Sequence, residues 1–198
     1  TELSLVASQV SLESRNLRFG HPSYTIWLTG MPRACKSTIA IALEERLWRE
    51  GKAVSLVDGT NLRLGISSDL GYTAEDRREA SRRGAETTAL LNSQGLIAIA
   101  AFISPTEQIR QLAKDIIGAD HFIEVHVEAD VETCKARDLA HSNGVYDKAS
   151  KGLIRNFTGV SAQYEPPPSP TVRLDTATLS IEESVNIIME ALKKKGLL

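Results

Sequence analysis

The sequence predicts an α/β fold of three layers, in which helices cover both faces of a mostly parallel β-sheet. Two observations support this prediction. Short apolar and β-branched runs alternate with helical stretches along most of the chain, and the runs are largely continuous in apolar residues. Strands of that kind are buried on both faces, as in parallel sheets whose connecting helices pack on either side. At 198 residues, the chain is long enough for one large domain.

The region between residues 25 and 118 contains three predicted strand–helix pairs. The first helix places Ile39, Leu43 and Leu47 at helical spacing, and a glycine ends it. The second helix is long and polar-faced, and a proline ends the third strand. The predicted strands are 25–29, 53–59 and 96–105, and the predicted helices are 37–51, 75–95 and 109–118.

The remaining predicted elements lie between residue 122 and the end of the chain. A strand at 122–129 precedes a short helix at 130–140, and "VRLDT" at 172–176 is the last strand. Ser180 and Glu183 form a capping box that opens the final helix. The face of that helix is apolar and consists of Val185, Ile188, Met189 and Leu192.

Two segments lack the periodicity of the rest. Residues 1–22 are predicted to be a loosely structured lead-in or linker, which leaves a single domain at 23–198. Residues 141–170 are rich in Gly, Ser and Lys and end in "PPPSP". Because this stretch is too long for an idle connection, we interpret it as a lid or substrate loop.

Charge and hydropathy exclude several classes of protein. The net charge is −2, and the largest basic cluster is "KKK" at 193–195, so we expect no nucleic-acid partner. No apolar run approaches a membrane span, and the N-terminal residues lack a signal-peptide pattern. The two cysteines, Cys35 and Cys134, lie far apart and outside metal-ligand spacing. We therefore expect a cytoplasmic protein without a membrane partner.

The first strand–helix junction carries a phosphate-binding pattern. Residues 30–38 read G-M-P-R-A-C-K-S-T, which departs from the P-loop pattern G-x-x-x-x-G-K-[ST] at Cys35. A strand enters the loop and a helix begins after it, so helix amides point toward phosphate. An ordinary strand-to-helix turn is the alternative interpretation. We predict a three-layer αβα fold of the P-loop NTPase type with a lid segment.

The predicted ATP site consists of the loop and the start of its helix. Lys36 reaches the outer phosphates, Ser37 binds Mg²⁺ and Gly30 permits the tight turn. Cys35 replaces a glycine, at a strain cost of about 1–3 kcal/mol. The predicted ATP-binding residues are Gly30, Met31, Pro32, Arg33, Ala34, Cys35, Lys36, Ser37 and Thr38.

Several motifs that follow the phosphate-binding loop indicate a particular family. "VDGTNLRLGISSDLGYTAEDRREASRR", "FISP", "GVYDKASKG", "FTGV" and "YEPP" follow one another in the order found in adenylylsulfate kinases. The chain resembles that family over about residues 24–178. The resemblance implies transfer of the ATP γ-phosphoryl group to the 3′-hydroxyl of adenosine 5′-phosphosulfate, with Mg²⁺ as cofactor. It also implies a homodimer or a place in an assembly that contains ATP sulfurylase.

The resemblance assigns roles to residues outside the loop. Asp58 lies near Mg²⁺ and the accepting hydroxyl, and Lys148 of the lid moves onto the phosphates. The implied catalytic residues are therefore Lys36, Asp58 and Lys148. The implied substrate residues are Arg63 and Arg77 on the phosphosulfate, Tyr72 and Phe157 around the adenine, and Ile103 and Ser104 at a strand end.

Each assignment has a structural alternative. Arg77 could belong to a solvated helix face, Tyr72 and Phe157 could be core aromatics, and Lys148 could be a surface lysine. Asp58 is harder to explain as a residue without a functional role, because a carboxylate that follows a buried strand needs a partner.

Several positions depart from the family pattern. Thr60 replaces the second acid of D-G-D-N, Ala80 replaces an asparagine, and Ser150 replaces an arginine; about three extra residues precede "GVY". Three hypotheses follow. The chain is an adenylylsulfate kinase, or a regulatory domain that binds the nucleotides without transferring phosphate, or a kinase of another small nucleotide or sugar.

Overall fold

A computed structural model describes residues 6–141 and 144–198. Its centre is a five-stranded, all-parallel sheet with strand order β2-β3-β1-β4-β5. The strands are β1 Thr25–Thr29, β2 Val54–Asp58, β3 Ile97–Ala101, β4 Phe122–Glu128 and β5 Val172–Asp175. The predicted α/β fold with a parallel sheet is confirmed.

Helices connect the strands and cover both faces of the sheet. The capping box of Ser180 and Glu183 is present at the start of the last helix, and Thr73 with Asp76 forms a second one. The helices are α1 Leu12–Phe19, α2 Lys36–Arg49, α3 Gly59–Arg63, α4 Ala74–Ser93, α5 Glu107–Ile117, α6 Val131–Ala140, α7 Val145–Ser150 and α8 Ile181–Lys194.

β1 divides the core into two parts because alternate side chains of a strand face opposite sides of the sheet. Ile26 and Leu28 face the larger core, which they share with α2 and α8. Trp27 faces the smaller core, which α4 and α5 cover. Its ring stacks on Phe102 with centroids 4.8 Å apart and an 8° angle between the planes. The strand that leads into the loop is fully buried.

α4 lies close to the smaller core because it carries a glycine at the contact. A Cβ atom at Gly84 would lie 2.3 Å from the tip of the Phe102 ring. Asn92, the second-to-last residue of the same helix, is also buried. It accepts a hydrogen bond from Thr25 at 2.7 Å and donates to the carbonyl of Tyr24 at 2.9 Å. α4 is thereby fixed against β1.

One expectation about the lead-in is wrong. Within the segment 1–22, residues 12–19 form helix α1, where we expected loose structure. The Ser11 side chain accepts a hydrogen bond from Ser14 N, and Gly20 ends the helix at φ = 70°. None of its residues is buried, so the apolar periodicity that reveals a packed helix is missing. Residues 1–5 lie outside the described part of the chain.

The segment 141–170 contains one short helix, α7, followed by turns. Residues 142–143 of that segment lie outside the described part. The third strand is shorter than the predicted 96–105, because the chain turns after β3 and Ser104 adopts φ = 37°. Among the described residues, none of the helices combines the length and apolar character needed to cross a membrane.

Candidate active site

The candidate site lies at the carboxyl end of β1, where an open parallel sheet commonly binds its ligand. The chain leaves β1 through Gly30 and enters α2 at Lys36. A Cβ atom at Gly30 would lie 2.3 Å from the carbonyl oxygen of Val127 in β4. No other residue fits there without moving β4, so this glycine is needed for close approach of two backbones.

Two non-glycine residues of the loop adopt the left-handed conformation. Arg33 has φ = 65° and Cys35 has φ = 72°. Each such residue costs on the order of 1–3 kcal/mol when the surrounding structure must hold it. The strain expected at Cys35 is therefore present, and Arg33 adds a second strained position that the sequence analysis missed.

The carbonyl groups of the loop face protein donors. Tyr146 and Thr176 each contribute a hydroxyl, Arg137 contributes its guanidinium, and Lys36 contributes its ammonium. The contacts are Lys36 Nζ to Met31 O at 2.7 Å, Tyr146 Oη to Pro32 O at 2.9 Å, Arg137 Nη1 to Arg33 O at 3.4 Å and Thr176 Oγ1 to Ala34 O at 3.3 Å. Protein donors therefore occupy the carbonyl oxygens of residues 31–34 in the structure.

A fifth residue, Asp138 of α6, also contacts the loop. Asp138 is buried and accepts a hydrogen bond from Arg33 Nε at 2.9 Å and another from Tyr146 N at 3.0 Å. We call Arg137, Asp138, Tyr146 and Thr176 the loop clasp. The sequence did not predict the loop clasp, whose members are spread between residues 137 and 176.

Lys36 is buried at the start of α2. Burial lowers its pKa from 10.5 to about 8, and nearby acidic groups, Asp58 among them, offset part of that effect. A cavity of about 140 Å³ lies beside it, and Arg33, Ser37 and Arg137 contribute to its lining. Arg33 is paired with Asp138, so Lys36 and Arg137 are the cations here that suit a phosphate group.

Ser37 and Asp58 meet at the ends of β1 and β2. Ser37 Oγ donates to Asp58 Oδ2 at 2.6 Å, while Asp58 Oδ1 accepts from Thr60 N at 2.8 Å. A hydroxyl and a carboxylate are the hard oxygen ligands that Mg²⁺ prefers when phosphates and water complete its shell. The described residues contain no cluster of three metal-ligating side chains.

A second group of predicted residues lies around the start of α4. The Arg63 guanidinium stacks 4.4 Å above the centroid of Tyr72, whose ring is 62% exposed. Arg77 donates to Thr158 Oγ1 at 2.8 Å, and burial together with the Arg63 charge lowers the pKa of Arg77. Arg77 is therefore not part of the solvated helix face.

The two predicted adenine-binding rings have different neighbours. Phe157 packs against the larger core and makes an edge contact with Tyr146, with centroids 4.9 Å apart. Tyr72 contacts Arg63 and is otherwise largely exposed. The structure thus leaves Tyr72 free for a ligand, whereas Phe157 has a structural contact as well.

The remaining predicted residues lie at the end of β3 and on α7. Ser104 is buried and accepts a hydrogen bond from Trp27 Nε1 at 3.0 Å. The carbonyl of Ile103 accepts from Thr29 Oγ1 at 2.8 Å. Lys148 lies on α7 with an exposed side chain. The structure groups Lys36, Ser37 and Asp58 closely and places Lys148 on the surface.

The chain is a P-loop phosphotransferase of the small-kinase type. A buried lysine, a serine hydroxyl and a carboxylate lie at its strand–loop–helix junction. The sequence profile of the adenylylsulphate kinase family matches residues 22–175. The chain belongs to the adenylylsulphate kinase family.

Similar proteins agree with this family. The adenylyl-sulfate kinase of Bacteroides thetaiotaomicron is 47% identical over 183 residues, which are 92% of this chain and 90% of that protein. The bifunctional enzyme CysN/CysC of Rhodopirellula baltica is 40% identical over 96% of this chain and 29% of its own length. The Mycobacterium tuberculosis APS kinase CysC, solved with AMPPNP and APS, superposes with a TM-score of 0.82. It is 34% identical and covers 87% of this chain and 99% of its own.

Proposed function

We propose that this adenylylsulfate kinase binds ATP in the loop at residues 30–38 and transfers its γ-phosphoryl group to the 3′-hydroxyl of adenosine 5′-phosphosulfate. The observation that carries the proposal is the 2.6 Å contact between Ser37 and Asp58 beside buried Lys36. A buried ammonium group next to a hydroxyl and a carboxylate supports the assignment of this region to a phosphate and its metal ion. Phosphoryl transfer needs little more than such positioning and charge stabilisation.

The ATP phosphates occupy the loop, where Lys36 exchanges the Met31 carbonyl for a phosphate oxygen. Ser37 and Asp58 would hold Mg²⁺, which would neutralise the negative charge that develops on the phosphates. The second oxygen of Asp58 orients the accepting hydroxyl. Lys148 approaches the phosphates from the lid at 141–170.

The acceptor nucleotide occupies the region around α4. Arg63 and Arg77 bind the phosphosulfate, because a guanidinium fork matches such an anion geometrically. The adenine stacks on Tyr72 and Phe157, and Ile103 and Ser104 line the end of β3. The support for this arrangement is that Arg63, Tyr72 and Arg77 are neighbours and that Arg77 bonds to Thr158, next to Phe157.

An assay of ADP release with Mg²⁺, ATP and adenosine 5′-phosphosulfate tests the proposal, together with calorimetric titration of each nucleotide. We expect turnover in the native chain and its loss in Lys36→Ala, which removes the cation at the phosphates. Native protein that binds both nucleotides and releases no ADP would support the regulatory-domain hypothesis. Unchanged ATP affinity in a folded Lys36→Ala variant would contradict the loop assignment.

We further propose that the kinase acts in the cytoplasm, either as a homodimer or within an assembly that contains ATP sulfurylase. The bifunctional relative, in which the matched part is 29% of the length, supports the second arrangement. Analytical ultracentrifugation of the chain, alone and with ATP sulfurylase, distinguishes the two. A monomer that does not bind the sulfurylase would contradict both.

A further inference from the structure

The phosphate-binding loop departs from a glycine-rich loop at Arg33 as well as at Cys35. Arg33 adopts φ = 65°, a conformation that glycine reaches without steric cost and other residues rarely adopt. Its side chain provides a contact that glycine lacks, because Arg33 Nε donates to Asp138 at 2.9 Å. The same residue that strains the backbone is therefore held by an ion pair.

The partner in that ion pair is fixed in place. Only 1% of the Asp138 side chain is exposed, against 26% for Arg33. The second carboxylate oxygen accepts from Tyr146 N at 3.0 Å, so Asp138 cannot follow the loop if the loop moves. A buried carboxylate also requires a cationic or hydrogen-bonding partner, and the loop itself supplies the cation.

The rest of the loop clasp acts on neighbouring carbonyl groups. Tyr146 donates to Pro32 O and Thr176 donates to Ala34 O, on either side of Arg33. These contacts orient the peptide groups around the strained residue, and the ion pair with Asp138 holds its side chain. Together they restrict residues 32–34 to one conformation.

We propose that the ion pair of Arg33 and Asp138 is a positioning device, which holds the loop in its ATP-binding conformation where other loops rely on glycine. This inference rests on the proposed function, because it concerns the same ATP site. Both are positioning residues, and neither needs to contact the reacting atoms. With glycine at position 33, the loop would reach the same conformation without the ion pair.

The test is calorimetric titration of the full chain with ATP and, separately, with adenosine 5′-phosphosulfate. In Asp138→Asn we expect the Kd for ATP to rise about tenfold and the Kd for adenosine 5′-phosphosulfate to stay within about twofold. Adding Arg33→Gly to Asp138→Asn should restore most of the ATP affinity, because glycine adopts φ = 65° freely. A residue with only a structural role would not show this rescue.

A matched control lies on the same helix. Glu132 pairs with Lys135 at 2.9 Å on the exposed face of α6, so Glu132→Gln removes an ion pair that does not contact the loop. We expect its ATP affinity to equal that of the native chain. If Asp138→Asn does not fold, Arg33→Met and Arg33→Gly replace it. Both remove the ion pair, and only Arg33→Met keeps the strain, so Arg33→Gly should bind ATP more tightly.

Three results would overturn the inference: native ATP affinity in Asp138→Asn, weakened affinity that glycine does not rescue, or equal affinities in Arg33→Met and Arg33→Gly. Failure of the proposed function has a different signature, since the native chain itself would then bind no ATP, or would bind both nucleotides without releasing ADP.

Discussion

At the scale of single residues, the phosphate site depends on a lysine that is already occupied. Lys36 donates to the Met31 carbonyl at 2.7 Å, and ATP must displace that contact. Burial lowers the pKa of Lys36 to about 8, so the free protein begins to lose the ammonium charge just above neutral pH. The phosphates of bound ATP favour the charged form and hold the proton to higher pH.

This difference gives ATP binding a pH dependence. Above about pH 8, binding must recharge Lys36, so ATP affinity falls as pH rises, by at most tenfold per pH unit until the pKa of the complex is reached. Between pH 7 and 7.5 we expect little change. Calorimetry with Mg²⁺ and ATP at several pH values measures the slope. Lys36→Ala should bind weakly and without this slope, and an equal slope in that variant would assign the proton to another group.

Cys35 supports a second prediction at this scale. Its φ of 72° is one that glycine adopts without strain. We expect Cys35→Gly combined with Thr60→Asp to raise the rate of phosphoryl transfer, because the loop relaxes and a second carboxylate is restored near Asp58. Each reduction of the activation free energy by about 1.4 kcal/mol raises the rate about tenfold.

Single-turnover measurements with both nucleotides test this double variant. A native chain that already turns over rapidly, with no gain in the variant, would show that Cys35 and Thr60 are harmless. A variant that binds both nucleotides without forming product would place the defect elsewhere, for example in the lid around Ser150.

At the scale of elements, the strands and helices that the sequence predicted are those with a regular pattern of apolar residues. β1, β3 and α8 were predictable because their apolar residues repeat at the period of a buried strand or a helix face. α1, α3 and α7 were missed, since they are short or lack a buried apolar face. The loop clasp was missed for another reason: three of its four members contact backbone carbonyls of residues 32–34, which no side-chain motif encodes, and Asp138 pairs with a residue far away in the sequence.

The contact between α4 and the smaller core gives a prediction for this scale. Alanine usually stabilises a helix relative to glycine by about 1 kcal/mol. At Gly84 we expect the opposite, a loss of about 1–3 kcal/mol, because the new Cβ would overlap Phe102, which is stacked on Trp27 and cannot move freely. Urea denaturation measures the change. Gly65→Ala is the control, with open space around residue 65; a stabilised Gly84→Ala would contradict this packing.

At the scale of the whole molecule, one buried histidine links stability to pH. His126 in β4 stacks on Tyr164, whose hydroxyl lies 3.0 Å from Thr29 in β1. Burial, opposed by Glu128 and assisted by the Arg173 and Arg110 charges, lowers the pKa of His126 from 6.5 to about 4. The folded protein therefore keeps this imidazole neutral where the unfolded chain protonates it.

We expect the free energy of unfolding to fall as pH drops from about 6.5 towards 4, because the unfolded chain binds the proton first. The contribution of His126 is at most about 1.4 kcal/mol per pH unit. Urea denaturation between pH 4.5 and 7.5 measures it, with His126→Phe as the comparison because phenylalanine keeps a ring against Tyr164. Parallel pH curves for the two proteins would assign the acid sensitivity to other groups.

The central position of β1 also affects the order in which the chain can fold during synthesis. β1 pairs with β3 and β4, which follow it by about 70 to 100 residues, and the loop clasp ends at Thr176. A ribosome delivers the chain from its N-terminus, so the phosphate loop emerges before the residues that support it. We therefore expect nascent chains that end before residue 176 to lack the ATP site, which means that ATP acts only after this residue has emerged and does not guide earlier folding.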